Sequence, residues 1–294
     1  MTDSPIDSIT TQNSSIAILM ATCDGEKYLA EQINSLLAQT CLDWHLFIHD
    51  DGSTDGTMAI VRSYIDKYSE KITLLDYPAQ GGACHNFLSL LERVEAPYYM
   101  FCDQDDVWTS SKVEKELSVM KELEKQHGLL PVIVNSDLTV VDANLHTIHP
   151  SFWQYRGIFP DFVRRFQDFS ATNVATGCTM LFNRRAKEVI QTPYTHIMMH
   201  DAWITLCVFV NNGILYNMNT PTVLYRQHGD NTIGAFDVKK LTLRYRLRHF
   251  REMATIFYRQ FRQMNAISHV SLFTYIWTKI LYKRYISLQS KNHL

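Results

Sequence analysis

Three carboxylates, Asp103, Asp105 and Asp106, fall within four residues of FCDQDDVW (101–108), directly behind the apolar run YYMFC. Like charges at that spacing repel one another, and a divalent cation relieves the repulsion. Mg²⁺ or Mn²⁺ suits oxygen ligands of this kind. Mg²⁺ usually takes one or two protein carboxylates and fills its shell with water and substrate phosphates. The alternative is a turn whose aspartates cap the following helix. A second acidic strand end, HDDGSTDGT (49–57), weighs towards the metal. Its Asp, Gly, Ser and Thr residues form turns and caps, and Asp55 or Thr54 is expected to cap the next helix. A local role does not explain why both Asp50 and Asp51 are acidic, and a carboxylate there can accept the ring N–H of uracil or thymine. HDAW (200–203) puts Asp201 at the start of an apolar helix, where the macrodipole alone would account for it. YRQHGDN (225–231) sets Arg226 and His228 two residues apart in a β-rich run, so both point the same way. A lone histidine is more often structural than a ligand.

The elements that must hold these residues can be read from periodicity. SIAILM (15–20), HLFIHD (45–50), KITLLD (71–76) and YYMFCD (98–103) read as strands, and helices are predicted over 26–39, 55–68, 83–94 and 111–126. The last opens with a predicted capping box, Ser111 to Glu114. Alternating strands and helices imply βαβ units and a mostly parallel α/β sheet with helices on both faces. Ligands bind such sheets beyond the carboxyl ends of the strands, so both acidic clusters should open onto one edge. Further on, 131–137 and 139–146 read as two strands, 177–182 as another, 184–190 as a helix, and 201–212 as a buried helix. ILYNM and TVLYRQH read as late strands.

The 294 residues suffice for one large domain or two modest ones, and 46% hydrophobic with 20% charged residues is ordinary for a globular chain. The net charge of −2 hides an asymmetry. From Lys239 onward there are 12 Lys and Arg against a single acid, Glu252, whereas residues 1–238 hold 16 basic and 29 acidic residues. The six cysteines show no metal-ligand spacing, which points to reduced thiols in a cytoplasmic protein. No apolar run approaches ~18 residues, so a spanning helix is not expected, and the polar N-terminus does not read as a signal peptide.

Taken together, ATCDGEKYLAEQINSLLAQT, HDDGSTDGT, CDQDDVW, ATGCTMLF, HDAW and YRQHGDN resemble family 2 glycosyltransferases of the GT-A fold, in particular rhamnosyltransferase-like bacterial members that build surface polysaccharides. The likeness spans about residues 15–235. It implies a nucleotide-sugar donor, dTDP- or UDP-linked with dTDP-rhamnose favoured, and a glycan or polyprenyl-linked glycan acceptor. It also implies that Thr22 and Asp24 line the base and ribose pocket, that Asp51 binds the base, and that Asp103 and Asp105 are the DxD pair. Asp105, with Asp106, would hold Mg²⁺ or Mn²⁺, His228 would lie near metal and diphosphate, and Asp201 would be the catalytic base. Asn86, in GGACHNF (81–87), falls near the donor phosphates, and Arg226 joins the donor-binding set. Two motifs depart from the family: Thr22-Cys23-Asp24 replaces a Thr/Ser-Tyr-Asn run, and His200-Asp201 replaces Glu-Asp. The expected division is a flexible leader (1–14), a catalytic domain (15–236, with a nucleotide half to 110 and an acceptor half from 111), and a basic helical tail (237–294). A sugar-nucleotide-binding protein without transfer is the alternative. The tail mixes Arg and Lys with Tyr, Trp, Phe, Ile and Leu, which suits either an anionic membrane surface or packing on the acidic core. Its charge alone does not make a nucleic-acid site, since no fold for one accompanies it.

Overall fold

The computed structural model describes residues 9–11, 14–194, 196–229 and 249–292. The first half runs β1 (Ile9–Thr10), β2 (Ile16–Thr22), α1 (Leu29–Leu37), β3 (Trp44–Asp50), α2 (Thr57–Lys67), β4 (Ile72–Leu74), α3 (Ala83–Arg93), β5 (Val94–Glu95), β6 (Tyr98–Cys102), β7 (Val107–Trp108) and α4 (Lys112–His127). Then come β8 (Val132–Val141), β9 (Thr147–His149), α5 (Phe152–Arg156), β10 (Met180–Asn183), α6 (Arg184–Glu188), α7 (His200–Val210) and β11 (Ile214–Arg226). The chain closes with α8 (Phe250–Ile267) and α9 (Leu272–Asn292).

Nine strands form one sheet in the order β4-β3-β2-β6-β10-β8-β11-β7, with β9 paired to β8. β4, β3, β2 and β6 are parallel, β10 is antiparallel to both β6 and β8, and β11 is again parallel to β8. The sheet is therefore mixed but mostly parallel, as expected. β2 shows why its strands are apolar throughout. Ile16, Ile18 and Met20 enter the core cluster under α1, while Ala17 and Leu19 enter the one under α3. A strand covered on both faces cannot alternate polar and apolar residues.

Several boundaries differ from the periodicity reading. Residues 132–141 form one strand rather than two, because Asp137 stays in line. Its carboxylate accepts Ser151 Oγ–H (2.5 Å) and the Trp153 N–H (3.1 Å), which anchors α5. β11 is likewise continuous, with its register shifting around Pro221. Gly177–Thr179 is a 3₁₀ turn, and the strand begins at Met180. The capping box at α4 does not form. Ser111 makes no side-chain cap, and Glu114 accepts Thr40 Oγ–H at 2.7 Å. At α2 neither Asp55 nor Thr54 is the N-cap: Gly56 is, without a side-chain cap, and Asp55 just ahead of it accepts the Thr57 N–H at 2.9 Å. Within the expected leader, β1 pairs in parallel with β5. The tail boundary near 237 and most of KKLTLRYRLRHFREM lie outside the described residues.

Candidate active site

The parallel register sets Thr22 opposite Asp50, and Thr22 Oγ–H donates to Asp50 Oδ1 at 2.9 Å. Asp50 also accepts Ser53 Oγ–H (2.5 Å) and the N–H groups of Gly52 (3.1 Å) and Ser53 (2.8 Å), so it shapes the turn. Asp51 does something different. It reaches the loop before α3, where the N–H groups of Gln80, Gly81 (3.1 Å) and Gly82 (2.6 Å) converge on its carboxylate. Gly81 and Gly82 have φ of +77° and +127°, a conformation open to glycine. Burial works to raise the pKa of Asp51, but these three bonds outweigh it and hold the group below its ordinary value. A cleft of about 230 Å³ opens beside this turn, lined by His49, Asp50, Gly52, Leu75, Tyr77 and Ala79.

The loop after β2 is tied down from two sides. Asp24, at φ +47°, accepts the Thr54 N–H at 2.7 Å and donates its own N–H to Ser53 Oγ at 2.9 Å. From the loop after β6, the Gln104 amide clamps the backbone of Cys23, accepting its N–H (2.9 Å) and donating to its carbonyl (2.8 Å).

The three clustered aspartates occupy three environments. Asp103 is partly buried, and burial followed by the charges of Asp105 and Asp201 pushes its pKa up to about 7. Asp106 is fully buried. Burial, then Asp105 and Asp103, raise it well above the carboxylate range. Asp106 Oδ1 accepts the Arg226 N–H at 3.0 Å, while Oδ2 has no hydrogen-bond partner among the described residues. Asp105 Oδ2 lies 2.9 Å from His228 Nε2. A cation fits this site, because an orphaned buried carboxylate oxygen belongs to a set in which Asp103, Asp106 and Cys178 offer ligand atoms within 4.8 Å of one another. Asp105 and His228 form a separate pair beside that set.

Arg226 and His228 do point the same way. The Arg226 Nε–H donates to the Asp105 carbonyl at 2.7 Å, and both side chains lie on the Tyr28 ring, at 4.5 and 4.8 Å. Arg226 is only 1% exposed, however, and its guanidinium also binds the Ala143 carbonyl (2.7 Å) and pairs with Glu31. It braces the acidic loop from beneath instead of facing a ligand. Thr22 and Asn86 are corrected likewise. Each is 1% exposed, Thr22 bonded to Asp50 and Asn86 to His49 Nδ1 (2.7 Å), so they support the edge instead of lining it.

Asp201 stands in the first turn of α7, whose N-terminus favours a carboxylate. It is almost fully buried, which pushes its pKa up to about 6 against the opposing bonds from the Ala202 and Gly177 N–H groups and Asn173. Its charge adds to the upward push on the Asp103 carboxyl, so the two groups lie near one another. His200 turns away between Phe87 and Phe101 (ring centroids at 4.5 and 4.7 Å). Burial drops its pKa to about 3, so it is neutral and does not tune Asp201 by charge. Trp108, at the end of FCDQDDVW, packs in the core with Lys112 Nζ 4.8 Å from its ring.

Gln104, Tyr28, Glu31 and Cys178 belong to the site but are not singled out by residue type. Gln104 fills the variable place of a DxD pattern, and the other three become relevant only once distant elements meet. Sequence comparison agrees with the geometry. The family model described as "Glycosyl transferase family 2" matches residues 17–190, and the chain belongs to that family. Its fold is the GT-A fold, and it is a glycosyltransferase. Over 227 residues it is 28% identical to the dTDP-rhamnosyl transferase RfbG of Shigella flexneri, covering 74% of each chain. Two solved structures share the fold. S. aureus TarS 1-349 in complex with UDP-GlcNAc has a TM-score of 0.53 at 19% identity, covering 74% of this chain and 60% of that one. The mannosyltransferase PcManGT from Pyrobaculum calidifontis, in complex with GDP-Man and Mn²⁺, has a TM-score of 0.53 at 15% identity, covering 94% of this chain and 76% of that one. No described helix is long and apolar enough to cross a membrane.

Proposed function

We propose that this glycosyltransferase is inverting and metal-dependent, and moves a sugar from a dTDP- or UDP-linked donor, rhamnose favoured, to a glycan or polyprenyl-linked glycan in surface polysaccharide synthesis. The observation that carries this reading is the buried carboxylate of Asp201, its pKa raised to about 6 beside the strand-end acidic cluster. A base poised near neutrality is ready to take a proton yet ionised in the cell. The acceptor hydroxyl loses its proton to Asp201 while its oxygen attacks the anomeric carbon. The bond to the diphosphate breaks with its electrons passing to the leaving group, through an oxocarbenium-like transition state. One displacement inverts the centre and needs no enzyme nucleophile.

Asp106, with Asp103 beside it and the Asp105–His228 pair alongside, would hold Mg²⁺ or Mn²⁺, which when bound would offset the charge gathering on the leaving diphosphate. Asp103 faces ribose or metal. Asp51 and Asp24 line the base end, next to the 230 Å³ cleft. Asp51 Oδ2 takes one N–H from the loop before α3, and a second lone pair suits the ring N–H of a pyrimidine. The chain then works in the cytoplasm, at the inner face of the cell membrane where a lipid-linked acceptor is found.

A screen of nucleotide-sugars for donor hydrolysis identifies the donor. Asp201→Asn should lower transfer by about 10²–10⁴-fold, the usual contribution of a general base, with donor affinity by calorimetry nearly unchanged. Loss of donor binding in that variant removes Asp201 from the role of base.

A further inference from the structure

Helix α9 is apolar on two opposite sides. Tyr275, Thr278 and Tyr282, spaced for one face, are buried at 0, 5 and 8% exposure against the core. The other face carries Phe273, Ile276, Trp277, Ile280, Leu281 and Leu288 at helical spacing, each between 38 and 75% exposed. Phe273 and Trp277 stack on that outer side with ring centroids 6.2 Å apart. A row of exposed large apolar side chains on an ordered helix marks an interaction surface. Its charge says what the surface meets. LFTYIWTKILYKRYISLQSKN contains no acid, Lys283 and Arg284 are exposed on the same side, and Arg251, Arg259 and Arg262 are exposed on neighbouring α8.

We propose that the outward face of α9 seats the enzyme on an anionic phospholipid surface, with Phe273 and Trp277 entering the headgroup boundary and the Lys and Arg residues meeting lipid phosphates. The helix lies in the interface without crossing it. Pairing with a second copy would bring Lys283 and Arg284 against like charges, which lipid phosphates would instead neutralise. This seat deepens the reading of an enzyme that serves a membrane-linked acceptor, but it does not depend on the donor or the base. A failed lipid test therefore leaves the transferase chemistry standing.

Trp277 is the single exposed tryptophan of five, the others being at most 5% exposed, so quenching of fluorescence by brominated lipid reports on this face alone. Full-length protein should float with phosphatidylglycerol-containing vesicles and not with pure phosphatidylcholine vesicles, with Trp277 quenched and binding weakened by salt. Phe273→Ser/Trp277→Ser and Lys283→Glu/Arg284→Glu should each lower partition roughly tenfold or more while keeping wild-type melting temperatures and turnover of soluble acceptors. Binding unaffected by either variant, or equal binding to neutral vesicles, overturns the proposal. Sedimentation that shows a dimer lost in Phe273→Ser/Trp277→Ser, without vesicle binding by the wild type, assigns the face to a second copy instead.

Discussion

Asp103, Asp105 and Asp106 show how much a residue's role depends on depth. Asp105 finds a partner in His228, Asp106 is sealed beneath with one oxygen unbonded, and Asp103 is lifted to about 7 by burial and its charged neighbours. In the unfolded chain Asp103 would titrate near the ordinary carboxylate value, so between there and about 7 the folded protein holds the extra proton. Stability of the metal-free protein must therefore fall as pH rises through that window, and Asp201, raised to about 6, adds in the same direction. A bound cation would stabilise the ionised cluster and would release protons on binding. Melting temperatures of chelator-treated protein are thus expected to drop as pH is raised towards 7.5 or so, and Mn²⁺ with a nucleoside diphosphate should restore most of the loss at the upper end. A metal-free melting temperature that rises over this range would sink the assignment. Asp51 moves the other way, because backbone N–H groups hold it ionised while the cluster titrates.

At the scale of elements, the parallel strands β2, β3 and β6 bring Thr22, Asp50 and Asp103 to one edge because each strand ends where its apolar run ends. That much follows from period and polarity, and the sequence reading placed both acidic clusters there. It failed where a side chain's partner comes from far away. Glu114 is predicted to cap α4, yet it accepts the Thr40 hydroxyl instead. Behind the acidic loop, α4 buries Lys112 and Glu116 at zero exposure, 2.7 Å apart, with Thr222 of β11 bonded to Glu116 at 2.9 Å. This pair joins α4 to β11 directly behind the acidic cluster. Lys112→Ala would strand a buried carboxylate and should cost about 3–5 kcal/mol in denaturant titration, as breaking one side of a buried pair does. A loss under 1 kcal/mol would mean that Glu116 is protonated in the native protein.

Across the whole molecule, the C-terminal helices pack against α7, the helix that carries Asp201. Met264, Ile267, Val270 and Tyr275 share a core with its Trp203, Leu206 and Cys207. Gln263 also accepts the Met198 N–H at 2.6 Å, just ahead of that helix. Packing on the core, weighed against a membrane surface from sequence, is thus observed for one face of these helices. Met264→Ala should destabilise the protein by about 2–5 kcal/mol and lower transfer by misplacing Asp201, while donor affinity holds near wild type. Unchanged stability would show that α8 is not needed to support α7.

The class of the protein is legible along the chain alone, in strand and helix periods, two acidic strand ends, an aspartate at a helix start, and the motif order of a glycosyltransferase. These are local patterns, and local patterns survive in one dimension. Which candidates touch the open edge was decided only by tertiary structure. Thr22, Asn86 and Arg226 are of the right types at the right spacings, yet all three are 1% exposed and turned to protein partners. The tertiary fold also brought Cys178 beside Asp103 and Asp106, and Tyr28 beneath Arg226 and His228. Depth and partnership depend on contacts between residues tens to hundreds of positions apart, so no window along the chain contains them.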